Sequence, residues 1–421
     1  MVNEMSRTPV KIMSTCVVAP ICHAQELLER FLKKASHILL FIEIYYPRCL
    51  HKIGADCFLY QYGKLKKVYG YHVTTLKLIR IISTNRAIRY LFHFVILFRL
   101  ILKAGVKFQV FIGVNYPYPL LGLLLRKMHL VKKVVYYAWD IIPPPDQRSH
   151  ILKRMLYKIM LLIDYLISKH ADLVWFLSSE LIGVKRKLGV PINNVPYIIV
   201  PIGVDTDRLV NIAYSSLEQQ NRILIAYVGE ISERTGFDVF ARFLIRMAHD
   251  QTIKDNIEFL IIGQGPLFRK IRTLVVRLGL KDQVHMLGFI RDIDEIRNLL
   301  STCSVGIALY KPTDMFSRYS DPGKVKLYIE CGIPIIMSGR SPITKEIAKH
   351  GAGFIINLSE DELSRVIRYL IKNKTALTKL KRNVIKLAFR YDYRNILSRA
   401  LIRSLNILFN NPYVSSTKKS R

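Results

Sequence analysis

The chain has 421 residues, 51% of them hydrophobic, enough for two ordinary domains with separate cores and too apolar for wholesale disorder. Lysine and arginine outnumber aspartate and glutamate by 64 to 31, giving a formal charge of +33, so the ligands and surfaces the protein meets are expected to be anionic. The basic residues are spread through both halves and no RNA- or DNA-binding module is recognisable, which argues against a nucleic-acid partner. The six cysteines include no Cys-x-x-Cys pair, which argues against a zinc ribbon. With no signal-peptide pattern, reduced thiols in a cytosolic protein are expected. The most apolar run, 90–102, is broken by His93 and Arg99 and is shorter than the roughly 20 residues a membrane span requires. It reads either as a core helix or as a helix lying in a membrane interface.

Residues 1–35 are weakly patterned, with a helical piece only at 25–34 and part of the segment expected to be loosely held. The run ILLFIEIYY after His37 suits a strand buried on both faces of a parallel sheet. An irregular, Lys- and Tyr-rich section follows to about Val73, then helical pattern over 74–103. Residues 107–114 read as a strand, NYPYPLLGLLLRKMH as a loop turning into a helix, and 131–138 as a third strand ending in Trp139, Asp140 and three prolines. A long amphipathic helix is predicted over 150–170, with Ile151, Met155, Ile159, Leu162 and Leu166 on one face and Lys153, Arg154, Asp164 and Ser168 opposite. Further strands at 173–177 and 197–200 complete a first round of alternation, which means a parallel sheet with helices on both faces.

The polar stretch 205–220 reads as a linker, after which alternation resumes: strands at 223–228, 257–262, 284–287 and 305–309, with helices at 237–248, 267–278 and 293–301 between them. Gly229, Gly265, Gly288 and the loop after Leu309 all fall at the carboxyl ends of strands, where such sheets bind ligands. The segment YKPTDMFSRYSDPGKVKLYIECGIPIIM over 310–337 is a polar loop ending on a helix opened by Asp321 and Pro322. Proline suits the first helical position, and an aspartate before it can cap the N–H groups behind. Such an end seats phosphate well, and Lys324 adds charge within the first turn. The spacing places Glu330 about 240° round the helix from Lys324, in a solvated pair with Lys326, while Leu327 and Tyr328 share the lysine's face.

Four blocks, YVGEISERTGFDVF (227–240), FLIIGQGP (259–266), VHMLGFI (284–290) and DPGKVKLYIECGIPII (321–336), resemble in order and spacing the retaining, nucleotide-sugar-dependent glycosyltransferases of the GT-B fold, family 4 (glycosyl transferases group 1). Fainter likeness continues in VVYYAWDIIP, ADLVWFLSSEL and IVPIGVDTDRL, so the resemblance covers about 105–400, while residues 1–100 match no known pattern. It implies an α/β fold of two facing Rossmann-like domains with the active site in the interdomain cleft. The expected division is an acceptor-binding domain over 1–207, a linker over 208–220 and a nucleotide-sugar-binding domain over 221–386. A C-terminal helix over 387–412 would cross back to the first domain, followed by a basic disordered tail over 413–421.

The same resemblance places Gly229 and Arg234 at the donor diphosphate, Gly265 close to the nucleotide, and Phe289, Ile290 and Arg291 at its base. It sets Gly323 and Lys324 at the phosphates, with Asn115, Tyr116 and Asp140 on the acceptor side, Asp140 as acceptor-binding group or general base; Asp321, as a polar substitute at the ribose or as the helix cap, and Tyr328, on the face of Lys324, are further donor-side candidates. It implies a UDP- or GDP-linked hexose donor, a glycan or lipid-linked acceptor and no required metal, and the basic surface fits a peripheral position on the anionic inner face of a membrane. The product would be a cell-surface polysaccharide or glycolipid. The pattern also departs from the family. Many members carry two glutamates eight positions apart, at the sites of Tyr319 and Leu327, and Glu230 and Thr235 stand where Arg and Lys are common. A catalytically silent relative serving as a subunit, or a nucleotide-sugar epimerase on the same fold, are the competing readings. The epimerase would need acid and base groups that the sequence does not place.

Overall fold

The computed structural model describes residues 13–20, 23–45, 53–73, 86–142, 144–145, 150–211 and 222–410. They form two compact units, one of the described residues up to Pro201 together with those from Tyr393 onward, the other Ile202–Asp392. Most of the predicted linker, the tail after 412 and the start of the predicted 74–103 helix lie outside the described residues.

The first unit is built on an eight-stranded sheet of order β4-β3-β2-β1-β5-β6-β7-β8. Its strands are β1 (Met13–Pro20), β2 (Ser36–Tyr45), β3 (Ile53–Gln61), β4 (Lys64–Val73), β5 (Phe108–Val114), β6 (Val131–Ala138), β7 (Leu173–Phe176) and β8 (Tyr197–Ile199). Two sequence expectations are corrected here. The weakly patterned N-terminal segment supplies β1, which pairs in parallel with both β2 and β5 and has Cys16, Val17 and Val18 fully buried. The section read as irregular is the antiparallel hairpin β3–β4, so the sheet is mixed rather than purely parallel. At this sheet edge Lys64, Lys66 and Lys67 are exposed, the charge that keeps an unpaired strand from pairing with another chain.

The helices α1 (His23–Ala35), α2 (Arg86–Ala104), α3 (Tyr118–Lys127), α4 (Ile151–His170) and α5 (Ser179–Lys187) connect the strands. From α2, the residues Ile96, Leu97, Leu100 and Ile101 enter the apolar core under the sheet. The amphipathic reading of α4 is inverted. Asp164 and Ser168 face inward, and the apolar stripe that was expected to be the buried face is exposed. The cause is a buried ion pair: Lys185 Nζ lies 2.7 Å and 2.8 Å from the two Asp164 carboxylate oxygens, and the Tyr136 hydroxyl donates to the same carboxylate at 2.7 Å. Once those charges are buried they must stay paired, and the pairing sets the rotation of α4.

The second unit carries a six-stranded, all-parallel sheet of order β11-β10-β9-β12-β13-β14. The strands are β9 (Ile223–Val228), β10 (Ile257–Ile262), β11 (Val284–Gly288), β12 (Val305–Ala308), β13 (Ile335–Ser338) and β14 (Gly353–Ile356). Central strands of such sheets are covered on both sides and read as continuous apolar runs, and β10 (IEFLII) and β13 (IIMS) are nearly or wholly buried. The connecting helices are α6 (Phe237–Ala248), α7 (Gln251–Asn256), α8 (Phe268–Arg277), α9 (Ile293–Ser301), α10 (Met315–Tyr319), α11 (Gly323–Glu330), α12 (Pro342–His350), α13 (Glu360–Lys372) and α14 (Lys374–Arg390). The chain then continues into α15 (Tyr393–Phe409), which packs on α1, β7 and β8 of the first unit, with Trp175 Nε1 donating to Ser404 at 2.9 Å.

Replacing Lys185 with Met leaves the Asp164 carboxylate buried without its counter-charge, and a loss of about 3–5 kcal/mol of stability is expected in urea denaturation. The double replacement Lys185→Met with Asp164→Leu is expected to recover most of that loss, because an apolar pair leaves no buried charge behind.

Candidate functional site

Open parallel sheets bind ligands beyond the carboxyl ends of strands, at the point where strand order reverses. In the second unit that point lies between β9 and β12, since β10 and β11 extend the sheet to one side and β13 and β14 to the other. Two loops leave the sheet there, after Val228 and after Ala308, and the second leads through α10 into α11.

Lys324, in the first turn of α11, reaches over to β9. Its Nζ donates to the Tyr227 hydroxyl at 2.8 Å and lies 4.0 Å from the centre of the Tyr227 ring and 5.3 Å from that of Tyr310. The Tyr227 hydroxyl donates onward to the Glu230 carbonyl at 2.5 Å, which fixes the ring that holds the lysine. Gly229 adopts φ +129, a conformation that favours glycine, and a Cβ there would stand 3.1 Å from Lys324 Cε and Nζ, so the lysine packs closely over this glycine. Burial first, and the Arg234 charge second, push the Lys324 ammonium down to about 7. A negative charge close to Nζ would oppose both influences and favour the protonated form.

Helix α11 begins at Gly323 with Pro322 as its N-cap, and no side chain caps it. Among the described residues the N–H groups of Gly323 and Lys324 have no acceptor, and a Cβ placed on Gly323 would meet nothing within 4 Å. Two unpaired donors and the positive end of the helix dipole thus lie in the same turn as Lys324, with room beside Gly323. Arg234 stands beside them, its guanidinium 2.7 Å from Glu230 and 3.7 Å from Asp314, so two carboxylates share its charge.

Several expected site residues have other occupations. Asp321 is not the helix cap: it is buried, accepts from the Ile202 N–H at 2.9 Å and pairs with Lys326 Nζ at 3.1 Å. Burial raises its pKa and lowers that of Lys326, while their mutual attraction opposes both shifts. The solvated Glu330–Lys326 pair is likewise corrected, both side chains being fully buried. Glu330 instead pairs with Arg297 at 2.6 Å and accepts from the Asp205 N–H at 2.8 Å. Tyr328 faces the core rather than a ligand, its hydroxyl accepting from Val228 N–H and donating to the Ile307 carbonyl, which bolts α11 to β9 and β12. Leu327 lies in the same apolar cluster, and Tyr319 is half-buried beside Arg318. Gly265 is required by the chain itself, since a Cβ there would fall 2.3 Å from the Ile231 carbonyl oxygen. Phe289, Ile290 and Arg291 form the loop after β11, with Phe289 and Arg291 exposed.

In the first unit, Asn115 and Asp140 meet at the carboxyl ends of β5 and β6. Asn115, at φ +60, accepts from the N–H groups of Trp139 and Asp140 and donates to the Asp140 carboxylate at 3.2 Å. Tyr116 begins the following turn, its ring 6.1 Å from that of Tyr90. Tyr227, Tyr310 and Asp314 were not among the site residues expected from the sequence, and Glu230 was noted only as a departure from the family pattern. Of the first three, only Tyr227, directly ahead of the VGE turn, carried a usable signal.

Residues 211–387 match the family described as Glycosyl transferases group 1. HepE of Anabaena, solved in complex with UDP-glucose, superposes with a TM-score of 0.63 at 14% identity, over 94% of this chain and 100% of that one. Sucrose-phosphate synthase of Thermosynechococcus elongatus gives a TM-score of 0.62 at 14% identity, over 94% and 99%. WaaG, a glycosyltransferase involved in lipopolysaccharide biosynthesis, gives 0.54 at 17% identity, over 74% and 93%. A sequence search of curated proteins returns no match. The chain thus has the two Rossmann-like domains of the GT-B fold, and its second unit carries a glycosyl transferases group 1 domain.

Proposed function

We propose that this protein is a retaining glycosyltransferase of family 4. It would move a hexose-type sugar from a UDP- or GDP-linked donor to a hydroxyl of a glycan or lipid-linked acceptor, for a cell-surface polysaccharide or glycolipid, at the cytoplasmic face of a membrane. The observation that carries this reading is the pairing of Lys324 with the uncapped start of α11 at the switch point between β9 and β12. Glycosyl transfer builds negative charge on the departing diphosphate, and preorganised N–H donors with a lysine are the groups that stabilise it. That HepE is solved with UDP-glucose supports a uridine nucleotide as the first donor to try. Retention follows in this reading from attack on the face the diphosphate leaves, with the leaving phosphate taking the acceptor's proton. Asn115, Tyr116 and Asp140 are assigned to the acceptor, the first holding the third in place. The donor chemistry needs no metal, because Lys324 and the helix end supply the positive charge.

A second reading, a glycosyltransferase-like subunit without activity, is favoured by one observation: Leu327 is buried in an apolar cluster and Tyr319 bears no carboxylate, so neither replaces the family's paired glutamates. Nucleotide binding separates the two.

In a thermal-shift panel of UDP, GDP, ADP and their sugar conjugates, one nucleotide is expected to stabilise the wild type by a few degrees, since occupancy at about 100 times Kd is worth about 2.7 kcal/mol. The Lys324→Ala variant is expected to lose that shift, and no shift with any nucleotide would favour the inactive subunit. Lys324 also makes a prediction for the ligand-free protein. Its folded pKa of about 7 is below the unfolded value of about 10.4, so as pH falls through that window the unfolded chain gains a proton the folded chain resists, and stability declines. Lys324→Met removes this penalty. Urea denaturation is expected to show the variant more stable than wild type by roughly 2–4 kcal/mol at pH 7, with the gain vanishing above about pH 10.

A further inference from the structure

We propose that one face of the first unit, centred on α4, docks onto an anionic lipid bilayer. This deepens the membrane part of the function proposed above and rests on that reading only for the identity of the acceptor. Within α4, Ile151, Leu152, Met155, Ile159 and Leu162 are each more than half exposed. At 3.6 residues per turn they fall within an arc of about 100°, a continuous stripe along a 20-residue helix some 30 Å long. The stripe does not face outward by default. The buried Asp164–Lys185 pair turns the opposite side of the helix inward, so the fold holds an apolar surface in solvent by spending a charge pair on its orientation.

The patch extends beyond α4. Helix α2 packs on α3 and α3 on α4, and α2 adds Ile88, Leu91 and Val95 while the end of α3 adds Leu124 and Met128, all exposed. Exposed apolar side chains on three helices packed in sequence, with the unbroken stripe of α4 among them, are the pattern of a docking surface. Charge selects the occupant. Lys158 and Lys169 are exposed along one edge of the α4 stripe, Arg99 and Lys103 are exposed on α2, and the one acidic residue of α4 is buried and already paired. An apolar stripe with a basic rim is the pattern of a helix lying in a lipid interface, its charges on anionic headgroups. A second copy would have to bring two chains of +33 together, which charge repulsion opposes. Among the described residues no helix is long and apolar enough to cross a membrane.

The test is vesicle flotation of the full chain, with phosphatidylcholine alone and with phosphatidylcholine and phosphatidylglycerol at 7:3, at low and at physiological salt. Wild type is expected to float with the anionic vesicles, less so as salt rises, and not with the neutral ones. Ile159→Glu with Leu162→Glu is expected to weaken partitioning at least tenfold, and Lys158→Glu with Lys169→Glu to reduce it and flatten the salt dependence. All four positions are exposed, and circular dichroism with the nucleotide thermal shift verifies that the variants fold and keep their donor site. Wild type failing to float at low salt, or the Glu variants floating equally, overturns the proposal. So does a concentration-dependent dimer in light scattering that the same variants abolish while lipid binding is absent. Loss of flotation with the thermal shift intact separates this surface from the donor site, and flotation without any nucleotide shift would sink the transferase reading alone.

Discussion

Helix α11 is buried along its whole length from Val325 to Glu330, and two buried ion pairs hold it. Asp321 with Lys326 ties the turn before the helix to its second turn, and Glu330 with Arg297 ties its last residue to α9. The same two carboxylates accept backbone N–H groups of Ile202 and Asp205, so the segment that enters the second unit is fastened to α11 as well. Where the chain leaves the unit, Asp392 accepts from Thr206 and Tyr391 from the Val204 N–H. Buried pairs of this kind contribute little net stability, but breaking one is expensive, so they act as positional constraints. What they position is the start of α11, its two unpaired N–H groups and Lys324.

That constraint explains why the site departs from the family pattern without losing its logic. A carboxylate at position 327 would have to be buried in the apolar cluster that Leu327 now fills. Positive charge is gathered differently too. Glu230 and Asp314 flank Arg234, while Lys324 is seated on the Tyr227 ring; in the proposed function it is the group that answers to an incoming anion. Gly229 and Gly263 serve this packing directly, the first because the lysine packs closely over it and the second because any side chain would strike the Gly229 carbonyl.

Much of the second unit was legible because strands such as β9 and β10 are buried along most of their length and are followed by Gly229 and Gly263, so β9, β10, α6 and α9 coincide with the runs read from the sequence. The place of Lys324 was legible from a different signal, a lysine in the first turn of a helix that a polar loop introduces. Other features depend on tertiary partners that no local pattern announces. Strand β1 offers only a short apolar run, and its place at the sheet centre comes from β2 and β5. Strand β4 is exposed along most of its length, with Tyr69 reaching the core, so its Lys- and Tyr-rich sequence shows no clear alternation. The periodicity of α4 was read correctly and its orientation was not, because the partner that turns it, Lys185, lies 21 residues further along. Glu330 failed likewise: spacing offered Lys326, and the fold supplied Arg297.

The central claim is that Lys324 and the start of α11 form the seat of a diphosphate. Calorimetric titration with the nucleotide that stabilises the protein, at pH 8 in two buffers of different ionisation enthalpy, tests it most directly. With a ligand-free pKa of about 7, Lys324 is mostly neutral at that pH, and a bound diphosphate should draw a proton onto it. The account predicts uptake approaching one proton per site in the wild type and none in Lys324→Met. Tight binding with no proton uptake in the wild type, or the same uptake in the variant, would contradict it.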